Sequence, residues 1–220
     1  MATAGWSSGL DGSHDFPVKR NCSIRTQILL TGLLLLLAVL GHDVRGGQGE
    51  TNSLKRTMYR VQAGEPDSNG WCLAESTGGH FKIKLPSRFN DFEVSGSDEN
   101  GKKQENYIVG TITKENTKYS ATLAVRKPPI IKELFGNFLN DFKKKATLKY
   151  SNELKVLGHP ALETEVGDNA RAAVMRMIVV ENGVYMLVAE FDSNRKEALK
   201  GQVKTFLESF ELPSSGTTVR

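Results

Sequence analysis

The chain has 220 residues, of which 39% are apolar and 25% are charged, so it has enough apolar residues for a core and room for about one domain with appendages. Its formal net charge of +4 is far from the clustered basic charge of domains that bind nucleic acid, and we expect no nucleic-acid partner. Two cysteines exclude a disulfide scaffold and a cysteine-rich zinc module.

An uncharged apolar run, Ile28 to Gly41, is the first feature along the chain. Its 14 residues fit the core of a signal peptide better than a membrane span, which needs about 20. Lys19, Arg20 and Arg25 precede it and supply the positive charge that stays on the cytoplasmic side. Residues 1–41 are therefore predicted to be a signal peptide or, if uncleaved, an N-terminal membrane anchor through residues 28–41. In both cases the rest of the chain is expected outside the cytoplasmic membrane. It is periplasmic or secreted if the leader is cleaved, and it is anchored to the membrane if the leader is not cleaved.

Residues 42–70 contain few large apolar side chains and many glycines, polar residues and charges. Such a segment buries too little to order itself, and it is predicted to be a flexible linker. Thr57 to Gln62 is the one stretch in it that could extend and pair with another strand. Glu65, Asp67 and Asn69 alternate as in a calcium loop, but the closing carboxylate is replaced by Ser76, which favours a plain turn.

Short strands separated by turn residues follow Gly70, and their brief connections indicate antiparallel pairing. The predicted strands are Trp71 to Ser76, Phe81 to Leu85, Phe92 to Ser95, Asn106 to Thr113, Tyr119 to Val125, Leu148 to Val156, Ala161 to Val166, Arg171 to Val180 and Val184 to Phe191. Cys72, in the first of them, is predicted to be a small buried apolar residue.

Two amphipathic helices are predicted. The first follows Pro128 and Pro129 and carries its apolar residues at helical spacing: Ile131, Leu134, Phe135, Phe138, Leu139 and Phe142. The second begins at a capping box formed by Asn194 and Glu197 and ends before Pro213. The last two strands are apolar at odd and even positions alike, so both sides of the sheet need cover. The prediction is an α+β domain over residues 71–213, with an antiparallel sheet flanked by helices on both faces and a disordered tail at 214–220.

Several segments taken in this order resemble the PsbP-like superfamily: FKIKLPSRF, a meander, an amphipathic helix, GHPALETE, RMIVVENGVYMLVAEF and VKTFLESFEL. The resemblance covers Trp71 to Leu212. It implies an antiparallel sheet flanked by helices and a noncatalytic module that binds other proteins, because that superfamily includes a photosystem II accessory subunit, a regulator of a nuclear GTPase and bacterial envelope proteins.

Residues that carry chemistry form no recognisable catalytic pattern. Beyond the leader, His42, His80 and His159 have no histidine or cysteine at metal-ligand spacing, and we expect neither a metal nor a cofactor. His159 is interpreted as a turn residue bonded to backbone. Glu163 and Glu165 lie two apart on one strand face, where solvated edge charges explain them better than an acid/base pair. The chain is therefore predicted not to be an enzyme.

Basic residues concentrate in the middle of the chain, where residues 101–150 hold 11 basic and 4 acidic side chains. If these residues lie on one face of the domain, they form a contact surface for lipid headgroups, an acidic glycan or an acidic protein. Otherwise they point in different directions and are ordinary solubilising charges, and we favour this second interpretation. The candidate contact residues are Lys102, Lys103, Lys118, Arg126, Lys127, Lys143, Lys144 and Lys145.

Two functions follow from these observations. The first is an exported, noncatalytic protein-interaction module that docks on an envelope or extracytoplasmic assembly. The alternative is a binder of a small ligand or an anionic surface through the basic middle segment. A hydrolase with an unrecognised site is a third hypothesis, which would need His80 or His159 beside a carboxylate in a deep pocket.

Overall fold

The computed structural model describes residues 54–97, 101, 103–125, 130–144 and 146–212 of the chain. The predicted signal peptide or anchor, 1–41, and the predicted tail, 214–220, lie outside the described residues. Within the described residues, the secondary structure consists of β1 Lys55–Ala63, β2 Cys72–Glu75, β3 Lys82–Leu85, β4 Phe89–Ser97, β5 Lys103–Ile112, β6 Lys118–Val125, α1 Ile131–Lys143, β7 Thr147–Val156, β8 His159–Gly167, β9 Arg171–Val180, β10 Gly183–Asp192, a 3₁₀ turn Ser193–Arg195, and α2 Lys196–Glu208.

Eight of the described strands form one antiparallel sheet in the order β1-β4-β5-β6-β10-β9-β8-β7, while β2 and β3 form a separate hairpin. The strands β4, β5 and β6 pair with their neighbours in sequence, and so do β7 to β10. The two series meet where β6 pairs with β10, for example at Ala121 and Leu187. Helix α1 therefore connects the centre of the sheet to its far edge at β7.

The fold is α+β with a mainly antiparallel sheet and two helices, as the sequence predicts, and the predicted strands and their antiparallel pairing are confirmed. The sequence prediction was wrong about part of the linker. Lys55–Ala63, inside the segment interpreted as a flexible tether, is the strand β1, and it pairs with β4. The ordered sheet therefore begins well before residue 71.

The core consists of two apolar clusters, each of which includes one helix. The larger cluster combines α2 with the β2–β3 hairpin and the sheet, and the smaller one combines α1 with β8, β9 and β10. Neighbouring residues of β10 alternate between them: Tyr185 and Leu187 belong to the larger cluster, and Val184 and Val188 to the smaller. This alternation follows from the two-residue period of a strand, which sends successive side chains to opposite sides.

The predicted apolar stripe of α1 is confirmed, since Leu134, Phe135 and Phe138 are buried. The predicted capping box of α2 is wrong. The 3₁₀ turn occupies Ser193–Arg195, so the helix starts one residue later than a cap at Asn194 implies, with Arg195 at the N-cap and no side-chain cap hydrogen bond. Neither described helix is long and apolar enough to cross a membrane.

Candidate functional site

Two of the predicted basic contact residues, Lys103 and Lys118, lie at opposite ends of the pair of strands β5 and β6. Lys103 is the first residue of β5, whereas Lys118 is the first residue of β6 and pairs with Ile112 at the other end of β5. Nine residue steps along β5 separate those ends, a distance of about 30 Å. Lys103 is also engaged in an ion pair with Glu105. The two lysines cannot contact the same small anion.

Lys118 belongs to a largely buried network of ion pairs. Its Nζ lies 3.1 Å from Oε1 of Glu190, and both side chains are only 13% exposed. The same Oε1 accepts a 2.6 Å hydrogen bond from Arg171, whose other terminal nitrogen donates to Asp192. The second oxygen of Glu190, Oε2, is buried and has no hydrogen-bond partner. In this setting Lys118 neutralises an internal carboxylate and is not presented to an external anion.

Lys143 and Lys144 lie at the carboxyl end of α1, where cations interact favourably with the helix dipole. Both are exposed, and Nζ of Lys144 is 3.2 Å from Asp141. The other four candidate residues, Lys102, Arg126, Lys127 and Lys145, are outside the described residues. The exposed residues among the described candidates are Lys103, whose side chain is 72% exposed, and Lys143 and Lys144 at the end of α1.

The edge strand β1 has a more distinctive surface. Four large apolar side chains on or beside it are exposed: Leu54, Met58, Tyr59 and Val61, the last by 66%. The strand sequence, KRTMYRVQA, contains three cations and no acidic residue. Its pairing with β4 is regular from Lys55 to Met58, after which two register shifts follow. Bulges of this kind are typical of protected sheet edges, and they leave the first four residues as a regular edge.

A completely buried carboxylate anchors β1 to the rest of the domain. Oδ2 of Asp91, on β4, accepts hydrogen bonds from Nε and Nη2 of Arg60 at 3.0 and 2.9 Å. It also accepts bonds from the backbone and side chain of Thr77, in the turn of the β2–β3 hairpin. Oδ1 is buried without a partner. One carboxylate therefore joins the edge strand, the sheet and the hairpin.

Two further contacts hold β1 in place. The Tyr59 hydroxyl donates a 2.6 Å hydrogen bond to Glu93 of β4. This bond, followed by partial burial, raises the pKa of Tyr59, because the neutral hydroxyl is the form that can donate. The guanidinium of Arg56 lies 4.2 Å above the ring of Phe92. These contacts are not visible in the sequence, because their partners are more than thirty residues apart.

The opposite edge, β7, contacts a second polar cluster. Tyr150 donates to Glu163 of β8 at 2.6 Å, and Arg176 of β9 binds the other oxygen of that carboxylate through two nitrogens. Arg176 also donates to the carbonyl of Leu207 near the end of α2, at 2.9 Å. Burial and the bond to Glu163 raise the pKa of Tyr150. This arrangement attaches the C-terminal helix to the β7 side of the sheet.

Glu163 and Glu165 are not solvated edge charges, and that interpretation was wrong. Glu165 is buried, and one of its oxygens lies 2.7 Å from Nζ of Lys196 at the start of α2. Glu163 is bound by Arg176. Each carboxylate therefore has its own cation, an arrangement that stabilises the contact between sheet and helix.

The remaining chemistry-bearing residues occupy structural positions. Cys72 is fully buried, as predicted, and burial raises the pKa of its thiol. The suspected calcium loop is a turn in which Asp67 accepts hydrogen bonds from the amides of Asn69 and Trp71. His159 is the first residue of β8 and pairs with Val156. Among the described residues, no group of three or more histidine, cysteine or acidic side chains could hold a metal ion.

No protein-family model matches the chain, and no curated protein matches it in sequence. Its structure is similar to the crystal structure of a Pseudomonas aeruginosa protein of unknown function, with a TM-score of 0.42, 10% identity, and coverage of 66% of this chain and 97% of that one. It is also similar to the solution structure of cyanobacterial PsbP from Synechocystis, with a TM-score of 0.38, 14% identity, and coverage of 76% and 98%. A PsbP is thus among the solved structures that resemble this chain.

Proposed function

We propose that the protein is an exported, noncatalytic interaction module of PsbP-like architecture that docks on an envelope or extracytoplasmic assembly. Export is supported by the uncharged run Ile28 to Gly41 with cations before it. A sandwich with one helix on each face of the sheet is supported by the alternation of β10 residues between the cluster of α1 and the cluster of α2.

The observation that carries this proposal is the exposed edge of β1. An edge strand offers unpaired backbone groups to an extended segment of a partner, and exposed side chains add specificity. Met58 and Val61 are exposed apolar groups on this edge, and such groups on an edge strand are typical of an interaction surface. Lys55 and Arg56 add positive charge at the regular end of the strand. The partner we propose is therefore an extended protein segment that carries apolar and acidic residues.

A site-specific photo-cross-linker tests the proposal in intact cells. The cross-linking residue replaces Val61 on β1 or, as a matched control, Leu157 in the turn after β7, because both side chains are highly exposed. We expect a defined protein adduct from position 61 alone, and we expect Met58→Asp to abolish it. Docking through β1 would be refuted if both positions gave the same adducts, if position 61 gave none, or if Met58→Asp left the adduct unchanged.

The export part of the proposal has its own test. Mass spectrometry of the protein from an envelope fraction gives its mature amino terminus. A terminus just after residue 41 indicates cleavage and release, and an intact leader in the membrane fraction indicates an anchor. Intact polypeptide found only in the cytoplasm would contradict export.

A further inference from the structure

The regular part of strand β1 has an order of side chains that specifies what can pair with it. From Lys55 to Met58 the strand pairs with β4 residue by residue, and no described strand lies on its other side. The first register shift falls between Met58 and Arg60, so an added strand pairs regularly only as far as Met58. Within this stretch, successive side chains point to opposite sides of the sheet.

One side of this stretch carries a cation between two apolar groups. Met58 is paired with Phe92, and the Arg56 guanidinium lies 4.2 Å above the ring of the same phenylalanine, so both residues are on one side. Gly96 is four residues after Phe92 and on that side too, and Cδ2 of Leu54 lies 2.9 Å from where a β-carbon of Gly96 would be. Leu54 and Met58 are 58% and 40% exposed, and Arg56 is exposed.

The other side of the same stretch is polar. Lys55 is exposed and is paired with Ser95, whereas Thr57 is paired with Glu93. An acidic residue added opposite Lys55 faces a cation, and opposite charges that face each other across strands stabilise the pairing. An acidic residue added opposite Thr57 is instead repelled by the carboxylate of Glu93, about 10 Å away across two strand spacings.

We infer that the segment bound by β1 carries two adjacent acidic residues, one opposite Lys55 and the other opposite Arg56. Apolar residues of the segment lie opposite Leu54 and Met58, and a neutral residue lies opposite Thr57. Each of these cross-strand pairs, apolar with apolar and acid with cation, stabilises the added strand. The inference rests on the proposed docking through β1, and it adds the order of side chains that the partner must have.

Synthetic peptides of one composition test this order. A peptide with Val-Thr-Glu-Glu-Val at its centre matches β1 when it runs antiparallel, and Val-Glu-Glu-Thr-Val matches when it runs parallel. Glu-Val-Thr-Val-Glu is the matched control, because its glutamates lie opposite Leu54 and Met58 in either direction. Fluorescence anisotropy with the purified full chain at low salt measures the dissociation constants. We expect one matching peptide to bind roughly tenfold more tightly than the control. Equal binding of all three peptides, or no binding, would overturn the inference.

Charge reversal at the centre of the stretch identifies the contact. The central glutamate faces Arg56 in both matching peptides, so we expect Arg56→Glu to raise the dissociation constant roughly tenfold. A peptide with lysine at its centre should bind this variant more tightly than it binds the parent. Lys149→Glu is the control variant, because it changes the net charge equally at the other edge of the sheet, on β7. We expect its dissociation constant to stay within about twofold of the parent.

A second variant covers the loss of the contact between Arg56 and Phe92, which could unfold Arg56→Glu. Lys55→Glu leaves that contact in place and should weaken binding by a similar factor, and lysine in place of the glutamate that faces position 55 should restore it. Urea unfolding checks that each variant is folded. If Lys149→Glu weakened binding as much, or if the lysine peptides restored nothing, net charge and not this register would attract the peptide, and the inference would be wrong.

The photo-cross-linker at position 61 separates this inference from the proposed function. If it captures a defined protein while the matching and control peptides bind equally, docking through β1 stands and the inferred order of side chains is wrong. If it captures nothing, the proposed docking itself is refuted.

Discussion

Strands β1 and β7 end the same sheet, and each is bound to its neighbour by a tyrosine hydroxyl that donates to a glutamate at 2.6 Å. The edges differ in charge and in their anchors. β1 has three cations and depends on the buried Asp91, whereas β7 has charges of both signs and contacts a cluster that includes α2. Similar bonds therefore hold both edges in the sheet, although the edges differ in charge and in the elements that anchor them.

The largest expected effect comes from removing β1. Deleting residues 54–63 from the full chain removes the guanidinium bound to Asp91 and uncovers Phe92, which is 2% exposed. An unpaired buried charge alone costs about 3–5 kcal/mol, against a typical total stability of about 5–15 kcal/mol. We expect the cooperative urea transition to be lost. If residues 54–63 were only a tether, the deletion would unfold at the parent's urea concentration.

Unfolding at alkaline pH tests the environments of the tyrosines at both sheet edges and in the core. All five tyrosines have raised pKa values; the pKa of Tyr107 rises to about 12 through burial and the nearby Glu105, and burial raises the pKa of Tyr185 to about 12. The pKa of tyrosine in the unfolded chain is about 10, and the pKa values in the folded state are higher. This difference stabilises the folded state fully below pH 10, and the stabilisation is lost as the pH rises toward 12. Tyr107 and Tyr185 each account for about 2–3 kcal/mol of this loss.

Absorbance of ionised tyrosine during a pH titration measures the effect. We expect little ionisation at pH 10 while the protein is folded, followed by ionisation of the tyrosines together with unfolding. Separate ionisation of several tyrosines near pH 10 in folded protein would contradict the environments described here.

The two arginine anchors are expected to differ in strength. Arg60→Met leaves the fully buried Asp91 bound only to Thr77, at an expected cost of about 3–5 kcal/mol. Arg176→Met leaves Glu163 with the Tyr150 hydroxyl and should cost about 2 kcal/mol. Urea unfolding measures both.

A second substitution identifies the cause of the larger loss. In the Arg60→Met background, Asp91→Asn removes the unpaired charge and should recover part of the lost stability. No recovery would mean that packing of the Arg60 side chain, and not its charge, accounts for the effect.

The smallest expected effect is that of the edge tyrosines. Tyr59→Phe and Tyr150→Phe each remove one hydrogen bond to a partly exposed carboxylate, and we expect a loss of about 1 kcal/mol for each. Losses that differ severalfold between the two variants would show that the edges are not held by equivalent bonds.

Much of the fold could be predicted because it depends on local patterns. The stripe of α1 and the apolar runs of β9 and β10 are each visible within a short window of the sequence. Within the predicted linker, Thr57 to Gln62 was identified as able to extend and pair, but not as an ordered strand, because its apolar residues are few and the order of β1 depends on Asp91, about thirty residues away. The polar contacts at the two edges of the sheet could not be predicted either, because their partners are distant in the sequence. Glu163 resembles a surface residue until the fold brings Arg176 and Tyr150 to it.

The central position of β10 has a consequence for how the chain folds. This strand is the last of the described sheet to be synthesised, yet it fills the gap between β6 and β9. Until residue 192 is available, the first three-stranded meander has an open side at β6, and its assembly with the second series waits for the end of the chain. A polypeptide built in this way cannot complete its sheet until almost all of it has been synthesised.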